Sequence, residues 1–518
     1  MTETRTEPVP NALPGAPGPT DPSDPAATHA PDRMTARDRT AVSLLLVSAF
    51  VVILNETVMG VALPRLMEDL AITASAAQWV TTAFMLTMAV VIPITGFVLQ
   101  RTTTRAAFLA AMGLFSVGTL VCALAPGFEV LLLGRVVQAS GTAIMMPLLM
   151  TTVMTVTPPA SRGRTMGNIS VVISVAPALG PTISGFVLSV LDWRWLFGLV
   201  LPIAVGALAL GAARLVNLTT PREARVDVLS VVLSALAFGG IVYGLSRVGE
   251  SAAGGGASAA WTALGVGLVT LGLFVARQLV LQRTDAALLD LRTFRSPVFT
   301  VAIVLMAISM MSLFGTIILL PLYAQQVLGL EALQTGLLML PGGLLMGFLA
   351  PSVGRAYDRF GPRVLLVPGA TIVSIAAWLL ATLGEQSSPW LLLTGHVVLS
   401  VGLALMFTPL FTASLGSLTP NLYSHGSAMV GTVQQVAGAA GTALFVTVLT
   451  ARAATLTDTG AGPVTSMAGG VHAAFLVGAV ISVLAIPAAF AVRVPRDAGH
   501  GDGAHSVEGA GSAPAGVH

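Results

Sequence analysis

The sequence predicts an all-α membrane protein of fourteen spans, two six-helix bundles with two further transmembrane helices between them. Three observations lead there: too little charge for a soluble surface, fourteen apolar runs of bilayer length, and an internal repeat relating the first six spans to the last six. Of 518 residues, 55% are hydrophobic and 9% are Asp, Glu, Lys or Arg, against about 25% charged in a globular protein. Mean hydropathy is +0.87. So few charges cannot cover a water-facing surface, which excludes the soluble and the disordered classes.

The remaining charge excludes more. Every basic side chain is arginine. Without lysine there is neither a complete P-loop nor a Schiff-base amine, so the chain alone cannot drive transport with ATP. The net charge of +2 is scattered in short clusters between apolar runs, with no basic stripe and no interleaved aromatics, and does not point to nucleic acid. The single cysteine, Cys122, lies within an apolar run and can form no intramolecular disulfide. No metal-ligand cluster, nucleophile elbow or carboxylate pair is present, so catalytic residues, metal and cofactor are expected to be absent and the chain not to be an enzyme.

Taken in order, residues 1–38 are proline-rich without an apolar run and read as a disordered tail. Spans follow near 40–63, 77–99, 106–125, 130–154, 165–190 and 195–213, making a first bundle over 39–213. Each holds about 20 apolar residues, enough to cross a bilayer. Spans near 228–247 and 260–281 occupy an insertion over 214–296. A second bundle over 297–493 comprises spans near 298–321, 333–353, 364–384, 389–413, 427–450 and 471–492, and residues 494–518 form a second tail. An even count puts both termini on one side. Twenty arginines fall on that side and four (Arg65, Arg194, Arg247 and Arg452) on the other, with Arg135 inside a span. The positive-inside rule then makes the termini cytoplasmic.

The repeat is legible by eye. Gly134-Arg135-Val136-Val137, continuing through Gly141, Ala143 and Met145, matches Gly395-His396-Val397-Val398 with Gly402, Ala404 and Met406 at a constant offset of 261. Gly163 and Met166 match Gly426 and Met429 at 263, and the loop holding Gly96, Arg101 and Arg105 matches Gly354, Arg359 and Arg363 at 258. Parallel halves of this kind, with a binding site between them, are a secondary-transporter architecture.

An ionisable group in mid-bilayer costs about 2.5–3.5 kcal/mol on insertion scales and so demands a reason. Glu56 is the one acid deep in a span, and Arg135 lies in the fourth with His396 at its repeat-equivalent place. Apolar surroundings favour a protonated carboxyl and an approaching cation favours the carboxylate. Glu56 can therefore carry a proton and exchange it for a cationic ligand; a fixed Glu56–Arg135 ion pair is the structural alternative. His396 serves either as a relay or as a backbone-bonded histidine. Asn55, His396, Gln434 and Gln435 are the candidate polar groups of a substrate cavity.

These residues resemble a known family. Leu54-Asn55-Glu56-Thr57 through Pro64, the loop residues Gly354, Asp358, Arg359, Gly361 and Arg363, the set Arg135, Gln138 and Gly141, and the run from Ala176 through Gly180-Pro181 to Gly185 are similar, in that order, to motifs of the fourteen-spanning drug/proton antiporters of the major facilitator superfamily. The likeness covers about residues 40–493 and extends to a lincosamide-resistance branch. It implies the major facilitator fold, proton coupling through Glu56 and Arg135, a gate at the Gly354–Arg363 loop, and bending or close packing at Gly180, Pro181 and Gly185. It also implies a proton-coupled exporter of amphipathic, cationic toxic compounds in a bacterial inner membrane, acting as a monomer in the lipid bilayer. Uptake or export of an endogenous metabolite and a non-transporting receptor or scaffold are the alternatives. Two departures stand out. Asn55 replaces the usual acid with Glu56 one place later, and Gln100 and Thr103 replace the usual Asp and Gly in the first copy of the loop.

Overall fold

Lipid offers no partner to backbone N–H and C=O groups, so segments of this composition cross a bilayer as helices. The protein is represented by a computed structural model that describes residues 34–218, 221, 227–251 and 257–492. Among these residues fourteen helices are long and apolar enough to span. The first bundle contains α1 (Ala36–Asp69), α2 (Ala74–Arg101), α3 (Thr104–Ala123), α4 (Phe128–Val156), α5 (Arg162–Val190) and α6 (Val200–Arg214). The inserted pair is α7 (Val228–Ser251) and α8 (Ala257–Leu281). The second bundle contains α9 (Pro297–Gln326), α10 (Ala332–Phe360), α11 (Arg363–Leu380), α12 (Pro389–Gly416), α13 (Tyr423–Asp458) and α14 (Pro463–Val483), the last prolonged by Ala485–Ala491.

The count and order agree with the sequence reading. The expected tails, 1–38 and 494–518, lie outside the described residues apart from residues 34–38, where α1 starts at Ala36, slightly inside the expected first tail. A capping box begins it: Asp38 N donates to Thr35 Oγ1 at 3.2 Å, and Thr35 N donates to Asp38 Oδ2 at 3.1 Å. Thr73, Thr103, Ser296 and Ser388 cap α2, α3, α9 and α12 in the simpler one-bond form.

The sequence repeat is a repeat of packing. Gly141 on α4 faces α3, where an added Cβ would stand 2.6 Å from the Phe115 nitrogen; Gly402 on α12 faces α11, where it would stand 2.8 Å from the Val373 nitrogen. Small residues at matching places let each pair of helices approach to backbone contact, the usual device for helix association in lipid.

In the first bundle α1 packs on α5 and α4, and α3 on α4 and α6; in the second, α9 packs on α13 and α12, and α11 on α12 and α14. The bundles meet where α5 lies along α10 and α2 along α13. The inserted α7, for which the sequence offers no role, touches α2 and α13, one helix from each bundle, and its Tyr243 stacks on Trp79 of α2 with ring centroids 6.0 Å apart. α8 packs on α7 and leaves Trp261, Val269 and Leu273 exposed, as a lipid-facing helix does. An ion pair ties the two at their termini-side ends. Arg277 Nε and Nη2 donate to Asp227 at 2.6 and 2.7 Å, and this guanidinium holds the Asp227 carboxyl well below the usual carboxylate range. Gln278 fixes the following linker by accepting from the backbone of Leu288 and Leu289 at 2.8 and 3.2 Å.

Candidate functional site

A buried guanidinium organises the first bundle. Arg135 on α4 is fully buried. Its Nη1 donates to Gln138 Oε1 at 2.7 Å and to Asn55 Oδ1 at 3.4 Å, and its Nε to the Val80 carbonyl at 3.4 Å. The guanidinium lies over the Phe84 ring, 4.0 Å from its centroid. Gln138 is one turn from Arg135 on the same face and donates onward to Thr119 Oγ1 at 2.8 Å. Four helices thus converge on one charge. Two donors are left over: Arg135 Nη2 and Asn55 Nδ2 are buried and have no partner. Leaving a buried donor unmade costs about 1–3 kcal/mol, so both seek an acceptor.

Glu56 stands outside this cluster. Asn55 is buried, whereas Glu56 is partly exposed and makes neither a hydrogen bond nor an ion pair among the described residues. Consecutive helical residues point about 100° apart, so Asn55 takes the place facing Arg135 and the carboxylate points elsewhere. Val47 marks the lipid side of α1, being 54% exposed; Glu56, nine residues on, falls about 180° from it. The carboxylate therefore points away from the lipid side of α1. The fixed Glu56–Arg135 ion pair is not formed, and Arg135 uses neutral amides instead.

The loop residues form a contact between bundles. Asp358, near the end of α10, accepts from Gly163 N at 2.7 Å and from Arg164 N at 2.8 Å. These are two of the unpaired N–H groups at the start of α5, where the helix dipole also favours an anion. The acid is thus held by a helix end rather than by an arginine. Arg359 lies over Phe360 and Arg363 over Phe490, each 5.1 Å from the ring centroid. Gly354 lies against Gly163, where a side chain on either would collide with the facing backbone. Gly361 ends α10 with φ +81°, a conformation glycine adopts without strain. At the repeat-equivalent place Gln100 donates to the Asn421 carbonyl at 3.1 Å. The first loop copy therefore contributes a neutral bond where the second contributes a charged one.

Three further bonds join the bundles: Arg162 to the Tyr423 hydroxyl at 3.0 Å, Thr151 to Ser427 at 3.0 Å, and Thr408 to Ser170 at 2.8 Å. Among the described residues every hydrogen bond between α1–α6 and α9–α14 lies in the arginine-rich half. α5 and α10 stay in contact from Gly163 and Gly354 to Ala178 and Gly343, about 22 Å along α5. Glu56 lies about 30 Å from the same end of α1 and Arg135 about 32 Å from that end of α4, just past the limit of this seal. Beyond it Gly60, Gly185 and Gly336 face open space.

The other predicted residues scatter. His396, buried on α12, bonds the Met339 carbonyl of α10 through Nε2 at 3.1 Å, while its Nδ1 has no partner. Gln434 and Gln435 on α13 are half-buried and make no hydrogen bond among the described residues. Gly180 abuts Thr57 of α1. Pro181 follows in the same helix, its side chain outside the described residues. Phe84, Thr119, Ser170, Thr408 and Tyr423 were not anticipated, because no local pattern distinguishes them from other residues of an apolar helix.

Comparison with known proteins gives a consistent result. The family model described as Major Facilitator Superfamily matches residues 45–442. An MFS-type transporter of Bacillus subtilis, YcnB, is 40% identical over 88% of this chain and 95% of its own length. The lincomycin resistance protein LmrB of Listeria monocytogenes is 39% identical over 87% of this chain and 96% of its own. Among solved structures, the human organic anion transporter MFSD10 (TETRAN) superposes with a TM-score of 0.64 at 15% identity, covering 88% of this chain and all of that one, a likeness of fold.

Proposed function

The chain belongs to the major facilitator superfamily, and on that premise we propose that this membrane transporter is a proton-coupled exporter of amphipathic, cationic drugs with both termini in the cytoplasm. The arginine excess makes the sealed half cytoplasmic, so the conformation is open to the outside. That is the state from which an exporter discharges its substrate and takes up a proton. One observation carries the reading: an unpaired carboxylate, Glu56, follows Asn55 on α1, and both Asn55 Nδ2 and the Nη2 of Arg135, which bonds Asn55, are donors without a partner, just above the seal. A ligand with a cationic centre and a hydrogen-bond acceptor satisfies all three groups. A proton on Glu56 removes the attraction for the cation, which makes proton and drug alternative occupants. Few polar anchors in apolar walls give breadth rather than selectivity. The lincomycin resistance relatives support lincosamides among the substrates.

The test is a susceptibility panel in a pump-deficient bacterial host with and without the gene. Lincomycin and amphipathic cationic dyes are expected to be tolerated at several-fold higher concentration on expression, and a proton uncoupler to abolish accumulation differences in loaded cells. Protection against no compound, or dye extrusion that survives the uncoupler, would contradict the proposal.

A further inference from the structure

The lipid-facing side of the first bundle carries a groove of about 550 Å³ between α1 and α6. Its walls are apolar: Val47 and Ile203 are each 54% exposed and Leu210 is 47% exposed. Its arginine-rich end is different. Arg39 at the start of α1 and Arg214 at the end of α6 reach it from opposite walls, with Ser43 between them. Both guanidiniums are on exposed residues, and neither has an acidic partner among the described residues. The depth is telling. From Arg39 to Val47 is about 12 Å and from Arg214 back to Ile203 about 16 Å along the helices, against about 15 Å for one leaflet of a hydrocarbon core.

We propose that this groove holds one anionic phospholipid of the termini-side leaflet, its phosphate bridging Arg39 and Arg214 and an acyl chain lying against Val47, Ile203 and Leu210. Guanidinium forks match phosphate oxygens in pairs, and basic pockets between transmembrane helices suit lipid headgroups. A second copy of the chain would set like charges together, and a purely apolar occupant would leave both arginines unused. The bound lipid would staple α1, which carries Glu56, to α6, and so tie the outer edge of the bundle to its candidate coupling helix.

The purified full-length protein in neutral detergent is titrated with phosphatidylglycerol, with phosphatidylcholine of the same chains, and with glycerol 3-phosphate, while its thermal unfolding midpoint is followed. Phosphatidylglycerol is expected to raise the midpoint at lower concentration than phosphatidylcholine, and glycerol 3-phosphate to do nothing. In the double variant Arg39→Gln/Arg214→Gln the half-effective phosphatidylglycerol concentration rises at least about tenfold, the equivalent of one charge-assisted bond. Val47→Trp keeps both arginines but fills the groove, and should blunt the same response. Native mass spectrometry of the unmodified protein, with phosphatidylglycerol retained in preference to phosphatidylcholine, gives a reading independent of variant folding. Equal responses to the two lipids, an unshifted double variant, an unaffected Val47→Trp, replacement of the lipid by glycerol 3-phosphate, or no preferential retention would each overturn the proposal.

Discussion

Asp358→Asn is expected to drive the transporter out of the conformation that is sealed at its arginine-rich end. The carboxylate accepts two backbone N–H bonds from the first turn of α5, and a hydrogen bond to a charged group is worth about 1.5–3 kcal/mol net. An asparagine keeps one oxygen, turns an NH₂ toward a donor-rich helix end and gives up the dipole attraction. If the latch forms only in the sealed state, a loss of about 2–3 kcal/mol shifts the equilibrium between states roughly 30- to 150-fold. Ser170→Cys reports the shift, since Ser170 lies inside the seal against Thr408 and the native Cys122 is buried. A membrane-impermeant maleimide applied from the arginine-rich side should label that cysteine faster by about the same factor when Asp358→Asn is added. An unchanged labelling rate would show that the contact does not hold the gate.

Arg135→Lys should be nearly as damaging for a different reason. The charge is kept but the planar fork is lost. One ammonium cannot hold Gln138 and Asn55 together, lie flat over Phe84 and still present a free donor to a ligand. Loss of one charge-assisted bond to substrate, about 1.5–3 kcal/mol, weakens drug binding about 10- to 150-fold. Equilibrium binding of a fluorescent substrate to the purified protein measures it directly. Wild-type affinity in the lysine variant would mean that Arg135 braces the bundle without meeting the ligand.

The parts of this architecture that were legible in the sequence are those set by local composition. Span number follows from apolar length, and the repeat from matching small residues such as Gly141 and Gly402, whose role is to admit a neighbouring backbone. Arg135 was visible as a charge inside a span, and Gln138 beside it through the resemblance of that span to a family motif. The rest depends on partners far apart in the chain. Nothing near Asp358 announces that its partners are backbone groups at Gly163 and Arg164. The exchange of places between Asn55 and Glu56 was readable as an angle, but only the packing of α1 against α4 tells which of the two meets Arg135. The contact of α7 with both α2 and α13 left no local mark, because a helix wedged between two others is as apolar as one in lipid.

The account turns on Glu56 as a carboxyl that trades its proton for the substrate. Reconstituted vesicles with an imposed pH gradient test this most directly, comparing wild type with Glu56→Gln for two fluxes of one cationic dye: gradient-driven accumulation, and dye-for-dye exchange without a gradient. Glutamine mimics the protonated carboxyl and can no longer release a proton, so gradient-driven accumulation should fall to the level of empty vesicles. Gradient-driven accumulation in the Glu56→Gln protein equal to that of wild type would contradict the account.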